Sequence, residues 1–350
     1  MKRIKKMEGV NIDKVELELE NVTPLFIAGA DQKTIENEGL RTPSLRGLLR
    51  WWFRAIMGGI VSIDDLKEFE KEIFGSTEQK SSVRILSLVE EAPLLISRLP
   101  AISNELRYLW FSIFMQEKQR QRLQFYSPGT KFSITLSSEN KNNLKIALGC
   151  LWTLVYLGGI GARMRRGAGS LKVNKVSINT PYEFIFTGNT VDEAKKFIEE
   201  NLTKIFKDFK GYAGERYNPQ TNLNFAVLSK DHARIILTKN MNEWKNLLSE
   251  IGDKYIKFRR GKELKYRYTL GLPITAYNEF KDLRHASPLL IGVMDLNGKY
   301  AIRLVKFYTS IHPKFSQKLK FLEKDLNDLD SKVAEEKKLG EVEIEIPEVS

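Results

Sequence analysis

Cysteine, histidine and long apolar runs are scarce in this sequence of 350 residues. Cys150 is the only cysteine, so no disulfide can form within the chain and a thiolate zinc site lacks ligands; this fits the cytoplasm. The three histidines, His232, His285 and His312, have no partner at metal-ligand spacing. No apolar stretch reaches the ~18 residues of a membrane helix, and none follows the basic residues 1–6 as in a signal peptide. We therefore expect no membrane span, no signal peptide and no cofactor.

The charge of the chain is positive and unevenly distributed. Lys and Arg number 56 against 44 Asp and Glu, a formal net charge of +12. Residues 321–350 hold ten acids and four lysines, which leaves 52 basic and 34 acidic side chains in residues 1–320. A body this basic favours a polyanionic partner, although charge alone does not distinguish nucleic acid from an anionic membrane or an acidic protein.

The order of predicted elements indicates an α+β fold with two tandem ferredoxin-like (RRM-like) domains and helical insertions. In the first half, period-two alternation predicts strands and longer periodic segments predict helices. These are strands 15–20, 82–89, 131–137 and 170–178 and helices 44–57, 64–74, 104–123 and 143–157. Without the insertions they read β-α-β-β-α-β, which is the ferredoxin-like order. The Asn179-Thr180-Pro181 segment predicts a boundary between domains at 1–179 and 180–350.

The second half has a less complete pattern. Strands are predicted at 289–293 and 300–308, joined by the hairpin signal Asp295-Leu296-Asn297-Gly298. Helices are predicted at 191–207, 241–251 and 314–338, the last of them long and charged. The acidic tail alternates at 342–346 and predicts a last strand. Together these elements suggest a second ferredoxin-like unit.

The helix predicted at 44–57 carries a stripe of arginines. Ser44 is the expected N-cap, and Arg46, Arg50 and Arg54 recur at i, i+4 and i+8, on a face roughly 130° from the apolar one. Like charges at this spacing repel, so something anionic is expected to offset them. The stripe would bind an anionic ligand or would meet carboxylates from elsewhere in the fold. Trp51 falls between the two faces, where it would stack on a base or pack.

A loop rich in glycine and arginine joins the helix at 143–157 to the next strand. It contains three arginines and no acid, and its glycines and arginines are Gly158, Gly159, Gly161, Gly167, Gly169, Arg163, Arg165 and Arg166. Glycine permits positive φ and close approach of the backbone, whose N–H groups then form a concavity for anions, and arginine grips phosphate through two bonds. The order helix, glycines, strand excludes a dinucleotide fingerprint. A flexible tip without a ligand is the alternative.

Weaker signals lie further along the chain. Residues 254–268 interleave seven bases with four aromatics, which suits single-stranded nucleic acid and equally an exposed hairpin. Lys118, Arg120 and Arg122 form a smaller basic run, which we expect to be a solvated helix end. His285 is the one tempting catalytic candidate, and a lone histidine is usually structural.

Three motifs resemble one known superfamily. Residues 23–31 followed by 41–55 resemble the N-terminal signature of RAMP proteins, and residues 159–170 resemble the glycine-rich loop of that superfamily. The tryptophan-rich form of the first motif, together with Arg284-His285-Ala286-Ser287-Pro288, looks most like the first-numbered subunit of the Cmr complex, the type III-B CRISPR effector of antiviral defence. Met164 stands where the family often has a small polar residue.

The resemblance implies a function in RNA binding. It implies two ferredoxin-like domains, a place near the 3′ end of the guide RNA and its target single-stranded RNA, other Cmr subunits as partners, and no nuclease activity in this chain. The implied RNA-binding residues are Arg46, Arg50, Trp51, Arg54, Gly159, Gly161, Arg163, Arg165, Arg166, Gly167, Gly169, Arg284 and Ser287. Two alternatives stay open: a metal-independent endoribonuclease that processes guide precursors through His285 or a tyrosine, and a scaffold whose basic face docks an acidic protein.

Overall fold

The computed structural model describes residues 13–27, 29, 35, 40–89, 91–95, 99, 101–114, 124–219, 225–261, 286–308 and 342–348. Its strands are β1 Asp13–Asn21, β2 Val83–Val89, β3 Leu94–Leu95, β4 Gln124–Phe125, β5 Lys131–Ser138, β6 Leu171–Val176, β7 Ala233–Met241, β8 Leu289–Asp295, β9 Tyr300–Phe307 and β10 Val342–Ile344. Its helices are α1 Thr42–Met57, α2 Ile63–Phe74, α3 Asn104–Leu109, α4 Phe111–Phe114, α5 Lys141–Leu157, α6 Val191–Ala213 and α7 Trp244–Arg260. In this part of the chain no helix is long and apolar enough to cross a membrane.

Two four-stranded antiparallel sheets and the helices packed on them make an α+β fold. The first sheet has the strand order β2-β5-β1-β6, and the second has the order β10-β7-β9-β8. In both sheets the first strand along the chain lies between the third and the fourth, and the second strand lies at an edge. The alternating tail forms β10, which pairs with β7, so the prediction of a last strand is confirmed.

The first sheet has one buried and one open face because its strands alternate. On β1, Val15, Leu17 and Leu19 are buried in a core shared with α1, α5 and α6. The residues between them, Glu16, Glu18 and Glu20, lie on the open face and are at most partly buried. Lys131 and Lys175 pair with Glu18 there, and Lys172 pairs with Glu20. The open face is therefore a surface of paired charges.

The second sheet is buried on both faces. Ile235, Leu290 and Val305 face the same core as α1 and α5, whereas Ile236, Ile291 and Leu304 face a second core with α3 and α7. This double burial explains the nearly continuous apolar sequence of β8 and β9. The hairpin between these two strands turns through Asn297 and Gly298, both at positive φ, as the sequence predicted.

Several predicted elements have different bounds in the structure. The N-cap of α1 is Arg41, which makes no side-chain capping bond, so the assignment of Ser44 was wrong. The helix predicted at 104–123 ends at Leu109 and resumes as α4, and residues 115–123, with Lys118, Arg120 and Arg122, lie outside the described residues. The charged helix predicted at 314–338 also lies outside them. Strand β7 was missed.

The basic and aromatic stretch at 254–268 is not an exposed hairpin where it is described. Residues 254–260 form the last part of α7, and Tyr255 and Phe258 are buried. They continue the helical spacing of Leu248 and Ile251, a signal visible in the sequence. Residues 262–268 lie outside the described residues.

A buried arginine joins the second sheet to the first half of the chain. Arg303 on β9 is 1% exposed and donates hydrogen bonds to the carbonyls of Tyr156 (2.6 Å) and Gly158, at the C-terminal end of α5. A cation at this end of a helix meets the negative pole of the helix dipole. Burial lowers the pKa of Arg303 to about 9, which still leaves the guanidinium charged at neutral pH.

The guanidinium of Arg303 fits only because its neighbour on β8 is glycine. Gly292 pairs with Arg303, and a Cβ at Gly292 would overlap the guanidinium, with Cζ at 2.6 Å. We expect Gly292→Ala to lower the free energy of unfolding by about 1–3 kcal/mol, because the buried guanidinium of Arg303, with its two hydrogen-bonded nitrogens, must move in a packed core. Urea unfolding of the full chain measures this loss. Gly211→Ala in α6, where a Cβ meets nothing within 4 Å, is the control and should be neutral or stabilising. Equal stability of both variants would contradict the expectation.

Candidate nucleic-acid interface

The arginine stripe of α1 is partly neutralised by α2. Arg54 donates two hydrogen bonds to the carboxylate of Glu70, at 2.5 and 2.7 Å, and this partner raises the pKa of Arg54. Arg50 donates to the carbonyls of Phe74 (2.9 Å) and Gly75, and its Nε lies 3.8 Å from Glu70. Arg46 has no carboxylate partner among the residues that the structure describes, and its Nε is buried without an acceptor. Carboxylates from elsewhere in the fold therefore account for Arg54 and for part of Arg50.

Trp51 connects the helix to the glycine loop. Its ring packs edge-on against Trp52 (4.7 Å between centroids) and Phe307 (5.5 Å) and is only partly buried. The guanidinium of Arg165 lies 5.1 Å from the same ring, in a cation–π arrangement. The structure thus brings one arginine of the loop against the aromatic residue of the stripe.

The glycine loop is an ordered structure and not a flexible tip. Gly167 and Gly169 are buried at positive φ. The loop's own N–H groups donate within the protein: Gly167 to Ile291, Gly169 to Pro24, and Ala162 to Phe26. These groups therefore offer no donors to phosphate, in contrast to the predicted anion-binding concavity. Gly167 and Gly169, expected to bind RNA, instead allow the chain to pack against itself.

The first glycines of the loop also pack against the protein's own backbone. A Cβ at Gly159 would lie 2.9 Å from the carbonyl oxygen of Gly169, and one at Gly161 would lie 2.6 Å from that of Phe26. We expected these glycines to leave room for a ligand. The structure fills the space beside them with the carbonyls of Gly169 and Phe26, so glycine is needed there for packing of the backbone.

The three arginines of the loop point in two directions. Arg165 donates to the carbonyl of Ser287 and lies on the α1 side, over Trp51. Arg163 donates from Nε to the Ser112 hydroxyl (2.7 Å), and Arg166 donates to Tyr255 (2.9 Å) and to the carbonyl of Leu289, both on the other side of the loop. The predicted single cleft is therefore wrong in part, because only Arg165 meets the α1 face.

Arg163 and Arg165 are partly buried cations with no carboxylate partner among the described residues. Burial lowers the pKa of Arg165 to about 10, and the charge of Arg166 adds to the shift. Burial and the charges of Arg166 and Arg259 lower the pKa of Arg163 to about 10 as well. Both remain charged at neutral pH. An unneutralised, partly desolvated arginine is the group that gains most from a bound anion.

The third motif has a structural role in its described part. Ser287 is 7% exposed, and its hydroxyl accepts from the backbone N–H of Leu289 (3.2 Å) while its carbonyl accepts from Arg165. The Ser287 hydroxyl is thus not presented to a ligand, contrary to expectation, and Ser287 instead holds Arg165 in place. Arg284 and His285 lie outside the described residues.

A groove of about 730 Å³ runs between α1 and α2 next to Trp51. Its walls are apolar and its edges cationic: they include Trp51, Ile63, Leu66 and Phe225, with Arg50, Arg54, Lys67 and Lys71. Glu70 is the one acid among its described lining residues. The groove extends the Arg165–Trp51 contact along α1 into a surface that combines aromatic area with positive charge.

Catalytic groups are not assembled in the described part of the chain. His232 bonds through Nδ1 to the Ser229 hydroxyl (2.8 Å), three residues away, and no group of three His, Cys, Asp or Glu that could hold a metal occurs among the described residues. Tyr156 and Tyr182 are buried, and burial raises their pKa, which makes them poor general bases.

Comparison with known proteins gives a consistent result over most of the chain. Residues 18–172 match the family model described as RAMP superfamily, and residues 233–336 match the one described as Cmr1-like, C-terminal. The curated CRISPR system Cmr subunit Cmr1-1 of Pyrococcus furiosus is 33% identical over 313 residues, which cover 87% of this chain and 90% of the relative. Subunit Cmr1-2 of the same organism is 38% identical over 176 residues, 45% of this chain and 92% of that one.

Solved structures show the same fold. The crystal structure of Cmr1 from Pyrococcus furiosus in its apo form superimposes with a TM-score of 0.72 and 28% identity, covering 95% of this chain and 98% of that one. A chain in the cryo-EM structure of the type III-B Cmr-beta bound to cognate target RNA has a TM-score of 0.55 and 15% identity, covering 90% and 99%. The second likeness concerns the fold alone.

The loop's shape depends on glycine at 169. A Cβ there would overlap the Ile160 carbonyl, and Gly169 has φ +62°. We expect Gly169→Ala to destabilise the full chain by at least ~2 kcal/mol, since it adds a clash with backbone to the strain of a left-handed residue. Gly129→Ala is the matched control, because Gly129 also has positive φ (+93°) but a Cβ there meets nothing within 4 Å. If thermal unfolding gave both variants the same loss, the packing role of Gly169 would be refuted.

Proposed function

This chain belongs to the Cmr1 family of the RAMP superfamily, and from that premise we propose that it is a non-catalytic, RNA-binding subunit of the type III-B CRISPR (Cmr) effector complex. It binds guide and target RNA near the 3′ end of the guide and serves antiviral defence in the cytoplasm, with other Cmr subunits as neighbours. The observation that carries this proposal is Arg165, a partly buried cation with no carboxylate partner in the described chain, held over Trp51 where loop and helix meet.

The proposal includes the division of the chain into two ferredoxin-like units, at 1–179 and 180–350. The strand orders support it, because β2-β5-β1-β6 and β10-β7-β9-β8 are both the order of an antiparallel β-α-β-β-α-β unit. In the second unit the helix predicted at 314–338, between β9 and β10, lies outside the described residues. Arg303 and the shared first core join the two units tightly.

RNA binding is assigned to the α1 and loop side and not to the open sheet face. RRM domains stack bases on aromatic residues of their open face. Here the described residues of that face on β1 are Glu16, Glu18 and Glu20, which are paired with lysines and offer no ring on which a base could stack. Trp51, Arg165 and the groove beside α1 offer aromatic area with positive charge. Such a surface grips backbone and stacks bases without selecting sequence, which guide–target pairing supplies.

The expected contribution of Arg165 can be measured directly. In the full chain, Arg165→Gln should weaken binding of single-stranded RNA about tenfold and reduce the slope of log affinity against log salt by about 1, whatever the RNA sequence. Lys196→Gln, an exposed lysine on α6, removes the same charge elsewhere and should change affinity little. Fluorescence anisotropy across a salt series gives both quantities.

Two measurements could contradict the proposal: the integrity of the RNA after incubation and the RNA affinity of Arg165→Gln. The RNA should be recovered intact without metal, and defined cleavage would overturn the non-catalytic assignment. If Arg165→Gln bound single-stranded RNA as tightly as the wild-type chain, with the same slope of log affinity against log salt, the physical basis of the proposal would be removed.

A further inference from the structure

A second cluster of arginines and aromatics lies on the far side of the glycine loop. It forms where α3 packs along α7, and Leu106 and Trp110 are buried in one core with Trp244 and Leu248. The Trp110 indole donates to the carbonyl of Arg166 (2.9 Å), and the Ser103 and Ser249 hydroxyls are 2.8 Å apart. These contacts hold the loop at the end of α3 and hold α3 against α7.

Arg163 is the centre of this cluster. It has φ +63°, unusual for a residue with a side chain, and its guanidinium lies 4.5 Å from the centroid of the Phe111 ring while Nε donates to Ser112. Its surroundings hold two further cations, Arg166 and Arg259, and no carboxylate of the described residues contributes to its pKa. The fold thus maintains a strained, half-desolvated cation beside like charges.

Arg259 brings a second cation from another element, and it has no carboxylate partner among the described residues. It donates to the Tyr108 hydroxyl (3.3 Å), and its Nε is buried without an acceptor. The last turn of α7 also carries Lys257 and Arg260, which the helix dipole favours at that end. The dipole does not account for Arg163, because that residue lies on the loop.

Phe111 gives the cluster an exposed aromatic surface. Its side chain is 43% exposed, which is uncommon for phenylalanine, although Arg163 lies over the ring. On the same short helix, Phe114 has the guanidinium of Arg107 at 5.1 Å from its centroid. Rings and arginine forks that alternate at a surface are the groups that bind a stacked base and its phosphate.

We infer that the surface of Phe111, Arg163 and Arg259 binds an unpaired nucleotide of single-stranded RNA, apart from the Arg165–Trp51 surface. This inference rests on the proposed RNA-binding function and adds a second contact to it. Met164 is half-buried and lies between Arg163 and Arg165, the two arginines that point in opposite directions, and Ala162 just before Arg163 is exposed. A single strand that crosses the tip of the loop would reach both surfaces.

An RNA strand fits this surface better than an acidic protein segment does. The carboxylates of an acidic peptide would pair with the arginines but would not stack on the exposed ring of Phe111. An unpaired RNA base can stack on that ring while its phosphate pairs with an arginine. Stacking requires unpaired bases, so the surface should distinguish single-stranded from double-stranded RNA. That difference is a readout that a merely structural role would not change.

The test uses the full chain with Phe111→Leu and Arg259→Gln combined, which removes the ring and one cation but keeps apolar bulk. Leu86→Ala with Arg84→Gln is the matched control, an exposed apolar residue and an exposed arginine on the edge strand β2. Binding of fluorescent single-stranded and double-stranded RNA of the same length is measured by anisotropy. Thermal unfolding verifies that the variants are folded.

We expect the Phe111/Arg259 variant to lose about five- to tenfold in affinity for single-stranded RNA, less for double-stranded RNA, and the control variant to lose neither. Unchanged affinity, while Arg165→Gln still weakens binding, would refute the second surface and leave the proposed function intact. If neither variant affected RNA, both would fail. Normal RNA affinity with loss of the chain from the reconstituted complex would show a protein interface and would overturn the inference.

If the Phe111/Arg259 variant unfolds at a lower temperature than the control, photocrosslinking of the wild-type chain to 4-thiouridine RNA tests whether RNA contacts the Phe111 surface. Crosslinked peptides that contain Phe111 support the second surface. Crosslinks confined to the peptide of Trp51 refute it.

Discussion

The hydrogen bonds of Arg303 to the end of α5 are the interaction on which the arrangement depends. They join a strand of the second sheet to the carbonyls of Tyr156 and Gly158, where the glycine loop begins. A buried guanidinium without a carboxylate is costly, and it is tolerated here because helix-terminal carbonyls accept its protons and Gly292 leaves room for it. The loop is therefore fixed from both halves of the chain, since Arg303 holds its start and Ile291 accepts from Gly167.

A fixed loop determines where its arginines point. Arg165 is held by Ser287 over Trp51, and Arg163 is held by Ser112 over Phe111. Neither has a carboxylate partner in the described chain, in contrast to Arg54, which is paired with Glu70. The positive charge available to a polyanion is thus concentrated at the loop and less on the helical stripe. The glycines contribute by allowing this packing and not by offering their N–H groups.

The sequence predicted the parts of the fold whose signals are local. Alternation located β1 and β5, and apolar periodicity located α1 and α5, because one buried face imposes the period of the element. Strand β7 has both faces buried and lacks the alternation, so it was missed. The directions of Arg163 and Arg165, and the pairing of Arg54 with Glu70, depend on partners 51, 122 and 16 residues away, which no local pattern reveals.

The central claim is that α1 and the glycine loop form one RNA surface through Arg165 and Trp51. A double-mutant cycle with Trp51→Leu and Arg165→Gln tests it most directly, with affinity for single-stranded RNA as the measured quantity. Because the two side chains would bind RNA as a unit, the double variant should lose less than the sum of the single losses, with a coupling of at least ~0.5 kcal/mol. Strictly additive losses, or no loss from either change, would contradict the account.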